Sequence, residues 1–591
     1  MLEDAWQLKS QDRAIERLIA RTPDRPDIDE RDFPSNGIST LTHAELEMQN
    51  ILSRLSGTPM ERMSRDTTLY QLGLDSISAV QVAAQLRKKG YTVSAADVIE
   101  RPSSAELLPL LQSQGRPHTG EHSDFDFNAF KVRQISNVSQ DLGITHDSME
   151  SILPCTPLQS GMIAQFLHSS GKLYLNHIHF ELGSDVNLDY IHQGWQSVLH
   201  RHTMLRTGFA HTNDQQHPFA MVTYRPSNAR LPWSYTKDSS GTTEVSSGWR
   251  QEIAADVLRS IHNPPWRLAI NESLDNTTMR LSIHHALYDA VSLRIVMQDL
   301  FASYQHQRLP PPQPVEPVLN TILVASLDRN NDQKNFWKRR RETLTVSRFP
   351  NLTPLRVHKY KTSALFRRCS MARSKLEAGL RNANATLQAA GQAAWARILS
   401  SYTGELAVTF GVILSGRTTE NAADVAFPCI TTVPVGCQVD RSNKVLLDRM
   451  MESNLAIQRH QFTPLPKIQQ WTGNPNEALF DTIFAYQKHT SSKDVDFPWK
   501  VVEGEATVDY PISIELEPVE KDGLELRITF TTGVLPEGQA SMLLDQLDAD
   551  LVDLCTAPDG HEDSSVTYDT SLLSIIPAKE PEILSDVRLL H

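Results

Sequence analysis

SIHHALYDAVS, residues 282–292, closes one regular pattern and opens another. Upstream, MRLSIHH (279–285) alternates apolar and polar residues, as a half-buried strand does. Downstream, LRIVMQDLFASY (293–304) sets Leu293, Val296, Met297, Leu300, Phe301 and Tyr304 at helical spacing. Neighbouring side chains on a strand point to opposite faces, so His284 and His285 are poorly placed to chelate one metal ion together. A single histidine aimed into a cleft is the better geometry. Asp289 falls between strand and helix. A buried carboxylate there needs a cation or several donors, which suits an anchor better than an activator of a nucleophile. No GxSxG elbow accompanies the motif, so a hydrolase triad is unsupported.

The chain around this motif has 591 residues, too many for one core, and two to four domains are expected. Its formal net charge of -13 argues against nucleic acid or an anionic membrane as the main partner. The basic run Lys338-Arg339-Arg340-Arg341 reads as a solvated helix face. No run of 18 or more apolar residues is present, and the charged start MLEDAWQLKS lacks a signal-peptide core. The five cysteines are scattered, with no CxxC pairing, which fits a reducing, cytoplasmic setting without disulfides or a zinc knuckle. No metal site is expected.

Residues 1–34 read as a helix with a Pro/Asp-rich exit, a flank or linker whose abrupt start suggests a piece of something longer. A compact helical block follows over 35–114. Thr42-x-x-Glu45 is a capping box that opens a helix with Leu46, Ile51, Leu52 and Leu55 on or near one face. DSISAVQVAAQLRKKG (75–90) is a second helix, stopped by Gly90, and SAADVIERPS and SSAELLPLLQ are two short ones. Residues 115–147 read as a polar linker. The remainder, 148–591, mixes strands and helices, and the Pro-rich LPPPQPVEPV (309–318) is an extended crossover between two lobes. In LGLDSISAV (72–80), Ser76 stands in the first turn of a helix. An N-cap serves there, and so does attachment of a phosphodiester, which the positive end of a helix stabilises.

The four-helix block with (L)G-x-D-S-(I/L) at its second helix resembles the thiolation (peptidyl carrier) domain of nonribosomal peptide synthetases. The resemblance implies 4'-phosphopantetheine on Ser76, with Asp75 beside it, an acyl or peptidyl thioester on the arm, and service by a phosphopantetheinyl transferase. HHALYDAVS resembles the HHxxxDGxS signature of the condensation domain of the same synthetases. RHTMLRTGF (201–209), LPCTPLQSGM (153–162), FGVILSGRTTE (410–420) and FPCITTVPV (427–435) follow that family's other motifs in order.

This second resemblance implies a four-helix carrier followed by an α/β, two-lobed, chloramphenicol-acetyltransferase-like domain, with lobes of about 148–318 and 319–591 and a tunnel between them. It implies that His285 either positions an acceptor and takes its proton or stabilises the tetrahedral intermediate. His284 is then structural, Asp289 pairs with Arg417, and Arg201 and Arg206 are scaffold. The implied function is acyl transfer to an amine or hydroxyl, within a larger synthetase, as a terminal cyclising or oligomerising step of the siderophore type. Ala290 stands where the family has glycine, and its methyl would narrow the site or alter the turn.

Two other readings need discrimination. A non-catalytic docking module is one, and a tunnel reaching His285 from both faces would argue against it. The other is a metal enzyme that uses His177 and His179 with the 284/285 pair, which requires four convergent ligands.

Overall fold

The computed structural model describes residues 42–559, apart from 57, 73, 75, 94–96, 99–100, 113–123, 238–247, 274–275, 328–330, 354–360, 419–421, 488–496 and 506–509. The N-terminal flank, Asp75 and part of SAADVIERPS lie outside the described residues.

The capping box at Thr42 forms: the Thr42 amide donates to Glu45 Oε2 at 2.8 Å, and the Glu45 amide donates to Thr42 Oγ1 at 3.4 Å. It opens the helix His43–Ser56, which packs against Ser76–Lys88 and Ser104–Gln112. Met48, Ile51, Leu52, Leu69, Val82, Leu86, Val98 and Leu107 make their common core. Leu46, expected on the buried face, is exposed instead, and Met48 takes its place in the core. Leu74, two residues before Ser76, is buried, and its amide donates to Leu69 O at 2.9 Å. The approach to the second helix is therefore held by packing.

Residues 115–147, expected as linker, contain a helix at Phe127–Leu142. Asp126 caps it, Gly143 ends it in the left-handed region, and Phe130 and Val138 seat it on Met149, Ile152, Ala220 and Val222. Ile135 and Leu142 pack at its margin, and the polar residues between these positions make the stretch look polar overall.

Three sheets follow. A small antiparallel sheet has the order Met149–Pro154, Phe219–Tyr224, Thr207–His211. A five-stranded sheet runs Trp499–Glu505, Leu175–Leu182, Thr277–His284, Trp266–Glu272, Trp233–Lys237. A six-stranded sheet runs Thr431–Gln438, Ala407–Leu414, Thr482–Tyr486, Ile512–Val519, Gly523–Thr531, Thr362–Arg368. The first two sheets share a core around Trp195, Trp266 and Phe209, and the third packs on its own core around Trp337, Trp395, Phe410 and Phe484.

The two lobes are not divided by a cut at residue 318. Helix Glu316–Ser326 begins inside the Pro-rich segment and buries Val318, Leu319, Ile322 and Leu323 in the N-terminal core. The crossover therefore falls beyond it, before helix Asp332–Arg339 of the C-terminal core. The C-terminal half also sends two pieces back. Strand Trp499–Glu505 pairs antiparallel with Leu175–Leu182, and Ala422, Val425, Phe427 and Cys429 enter the N-terminal core. Alternating sequence patterns specify strands but not their partners, so this exchange has no local signal.

Candidate functional site

The strand Thr277–His284 ends one residue earlier than its pattern suggests, and His285 opens a short 3-10 turn, His285–Leu287. The turn, rather than strand alternation, separates the two histidines. His284 is fully buried, edge-on to Phe166 at 4.8 Å between ring centroids, and its Nδ1 accepts the Ala286 amide at 3.1 Å. Burial, with His285 nearby, lowers its pKa to about 3.

His285 is partly buried. Its amide donates to the Tyr174 carbonyl at 2.8 Å, its ring stacks on Tyr288 at 4.8 Å, and its Nδ1 lies 2.9 Å from the Tyr288 carbonyl. A carbonyl can only accept, so Nδ1 carries the proton and the neutral ring presents its lone pair at Nε2. Among the described residues Nε2 has no hydrogen-bond partner. Burial lowers the His285 pKa from its ordinary value, while the Tyr288 carbonyl and the charge of Asp289 pull it back up.

Asp289 caps helix Ala290–Tyr304, accepting the Ser292 amide at 2.7 Å. Its carboxylate also receives Arg417 Nη2 at 2.7 and 2.9 Å and the Cys429 amide at 2.9 Å. Asp289 is 1% exposed and Arg417 9%, so this is a buried pair with several supporting donors. Arg417 Nη1 and Nη2 also donate to the carbonyls of Ala422, Val425 and Phe427, while its buried Nε has no hydrogen-bond partner among the described residues. Gly416 makes the approach feasible: it adopts φ +63°, and a Cβ there would lie 1.8 Å from the Cys429 carbonyl oxygen. The pair thus ties the histidine turn of one lobe to residues 416–429 of the other. Ala290 is exposed at the first turn of the helix, so its methyl does not narrow the site.

Two cavities lie beside the small sheet. A cleft of about 920 Å³ between the lobes is lined by Cys155, Phe219, Tyr174 and Met162 on one side and by Thr431 and Phe462 on the other. A second, of about 350 Å³, is lined by Ser151, Leu153, Met221 and Thr223 and by Asp424 and Ala426. Both lie along one face of the small sheet, where Leu153 pairs with Met221 and the Cys155 amide meets the Phe219 carbonyl. They share no lining residue, and His285 lines neither. Between them stand Phe427 and Cys429, held through Arg417 and Asp289.

Three contributors escaped the sequence reading. Gln159 donates to the Ala286 carbonyl at 2.9 Å from a helix capped reciprocally with Thr156. Its signal, Thr-x-x-Gln, was present in LPCTPLQSGM. Tyr288 holds the His285 tautomer, and Tyr174 reaches His285 from a left-handed conformation at φ 63° that nothing in the sequence announces.

Arg201 and Arg206 both anchor: Arg201 Nε donates to Asp299 at 2.6 Å and Arg206 Nε to the Leu199 carbonyl at 3.1 Å. His177 and His179 face Trp249, and His177 Nδ1 contacts Ser282 Oγ at 2.8 Å. Arg280 lies over the Trp249 ring at 4.1 Å. Among the described residues, no three His, Cys, Asp or Glu side chains converge as metal ligands. Ser76 heads its helix, so a phosphodiester on this residue would lie at the positive end of the helix dipole.

Residues 149–571 match the family model described as Condensation domain, and residues 47–110 match Phosphopantetheine attachment site. The chain belongs to the condensation-domain family. Its condensation domain is preceded by a phosphopantetheine carrier, in an arrangement shared with fungal synthetases. The chain is 42% identical over 547 residues to Nonribosomal peptide synthetase 2 of Cochliobolus heterostrophus, covering 93% of this chain and 10% of that protein. It is 27% identical over 584 residues to the hydroxamate-type ferrichrome siderophore peptide synthetase of Schizosaccharomyces pombe, covering 95% of this chain and 11% of that one. It thus spans about a tenth of the length of each. The condensation domain from the monacolin K polyketide synthase MokA superposes with a TM-score of 0.56 at 14% identity, covering 70% of this chain and 99% of that one, which establishes the two-lobed fold.

Proposed function

We propose that this carrier–condensation pair moves an acyl or peptidyl group from a thioester carried at Ser76 to an amine or hydroxyl acceptor, with His285 as the base. The acceptor heteroatom bonds to the acyl carbon as the carbon–sulfur bond breaks. His285 Nε2 takes the acceptor's proton and returns it to the departing thiolate. The observation that carries this reading is the fixed tautomer of His285, with Nδ1 committed to a carbonyl and Nε2 free in a chain that brings its own carrier. Asp289 and Arg417 position the turn, and Asp75 flanks the attachment residue. The ferrichrome synthetase relative supports a hydroxamate-bearing peptide and a terminal cyclising or oligomerising step in the cytoplasm, within a longer synthetase.

Intact mass after treatment with a phosphopantetheinyl transferase and coenzyme A tests the attachment. One arm gained by the native chain and none by Ser76→Ala is the expected result. The loaded acyl group should then leave for a nucleophile in native protein and stay in His285→Ala. Equal loss from both proteins would refute the base.

A further inference from the structure

Resting on the reading just given, we propose that Asn176 is a positioning residue for the transfer, acting on the base His285 through the ring of Tyr288. Asn176 is a polar residue in an apolar row. On strand Leu175–Leu182 it shares a face with Ile178, Phe180 and Leu182, and those three pack in the N-terminal core. Asn176 itself is 3% exposed. A buried amide costs stability unless it is hydrogen-bonded, so its presence in this row calls for a partner. The partner belongs to the histidine turn: Asn176 Nδ2 donates to the Tyr288 hydroxyl at 2.8 Å. Burial pushes the Tyr288 pKa up to about 12, so the hydroxyl stays neutral throughout the range in which the base works.

Tyr288 meets His285 twice. The imidazole stacks on the phenol ring, 4.8 Å between centroids and 26° between planes, and its Nδ1 lies 2.9 Å from the Tyr288 carbonyl. One residue thus sets both the plane of the imidazole and the place of its proton. The two ends of Tyr288 are held separately. Its backbone is held by the turn, where its amide meets the His285 carbonyl at 3.3 Å, and by the next residue, Asp289, which Arg417 fixes. Its ring is held at the far end by Asn176. The strand register supplies this clasp: Leu175 pairs with His284 and Asn176 with Ile283, and the Tyr174 carbonyl just before them takes the His285 amide. Without the Asn176 amide the phenol ring is free to turn about its side-chain bonds. The imidazole then loses the face that fixes its plane, and Nδ1 is no longer kept on the carbonyl. Nε2 presents its lone pair in only a fraction of the molecules.

The test reads the tautomer by nuclear magnetic resonance and the transfer separately. In the native chain, isotope-labelled at the histidine ring nitrogens, the His285 signals are assigned by their loss in His285→Gln. At neutral pH they should show one tautomer, with the proton on Nδ1. Asn176→Leu, which keeps a branched side chain and removes the amide, should show both tautomers in exchange. Tyr288→Phe removes the same bond from its other end and should show the same mixture. Transfer from a soluble acyl-pantetheine thioester should fall on the order of tenfold in kcat in either variant with KM unchanged, since the base is misaimed and the cleft is intact. The double variant should lose no more than either single one, because all three break one link. An Asn176 that serves stability alone would lower the melting temperature and leave tautomer and kcat unmoved. That result, or losses that multiply in the double variant, overturns the assignment. If Asn176→Leu does not fold, Tyr288→Phe decides on the same two readouts. Absence of transfer in the native chain overturns the catalytic reading instead, and the tautomer signals still decide Asn176.

Discussion

His285 works as a base only while its imidazole is neutral, and burial biases it that way. The lowered pKa means that little of it is protonated at pH 7. The rate of transfer should therefore be flat across neutral pH and fall as the pH drops below 6.5, with the inflection at the lowered value. A kcat/KM profile whose acid limb lies above pH 7 would contradict this. His284 has a different consequence. Its pKa is about 3 when folded against 6.5 for an ordinary histidine, so between those values the unfolded chain takes up a proton that the native chain refuses. Stability from this residue is complete above pH 6.5 and is lost as the pH falls toward 3. His177, lowered to about 4 mainly by burial, adds to the same slope. His284→Leu should be less stable at pH 7, because the Ala286 amide loses its acceptor, yet should show a shallower loss of stability on acidification. Urea melts at pH 7 and pH 5 measure both effects. At this scale the sequence is informative about which residue types are present and silent about tautomer. Strand alternation predicts that the two histidines part, but a turn of three residues is what parts them, and that turn also places the carbonyl partner of Nδ1.

The elements explain why Asp289 and Arg417 matter without touching a substrate. One carboxylate ends the histidine turn, starts a helix, and fixes a segment of the other lobe. Removing either partner leaves a buried charge uncompensated, so Asp289→Ala and Arg417→Ala should each cost about 3–5 kcal/mol in urea unfolding. Asp289→Leu combined with Arg417→Met should cost less than the sum of the single losses, since neither charge is then stranded. Additive losses would show that the two residues act independently. Ala290→Gly is the contrasting case. The residue is exposed and helical, so restoring the family glycine should leave KM unchanged and cost up to about 1 kcal/mol of stability. Helix starts were the most legible elements, because capping residues act on their own neighbours: Thr42 with Glu45 was read directly, and Thr156 with Gln159 was available to be read. Helix Phe127–Leu142 was missed because its buried contacts are few, and the exchange of strand Trp499–Glu505 was missed because pairing depends on residues some three hundred positions away.

The whole molecule combines a loosely held part with two firmly joined ones. The lobes share a sheet and a buried ion pair, so they should unfold together. Among the described residues, the carrier meets the C-terminal lobe at Met451 and Leu455, at the Thr68–Asn384 hydrogen bond and at the partly exposed Arg459–Asp97 ion pair. Transfer requires this attachment to be reversible, since a carrier that receives and delivers an acyl group must reach more than one site. Exposed ion pairs contribute about 1 kcal/mol or less, so the apolar contact should dominate. Leu455→Asp places a charge against the carrier core and should release it. Small-angle scattering should then show a larger radius of gyration, with the melting temperature of the two lobes unchanged. Arg459→Ala should change the dimensions little. Delivery from the chain's own carrier should slow in Leu455→Asp, because docking no longer aligns the arm with the cleft. Transfer from a soluble acyl-pantetheine should proceed at the native rate, because the cleft and His285 are untouched. If Leu455→Asp slows both donors equally, helix Asn443–Gln458 supports the lobe rather than docking the carrier. If it slows neither and the dimensions stay constant, the carrier is held elsewhere during turnover.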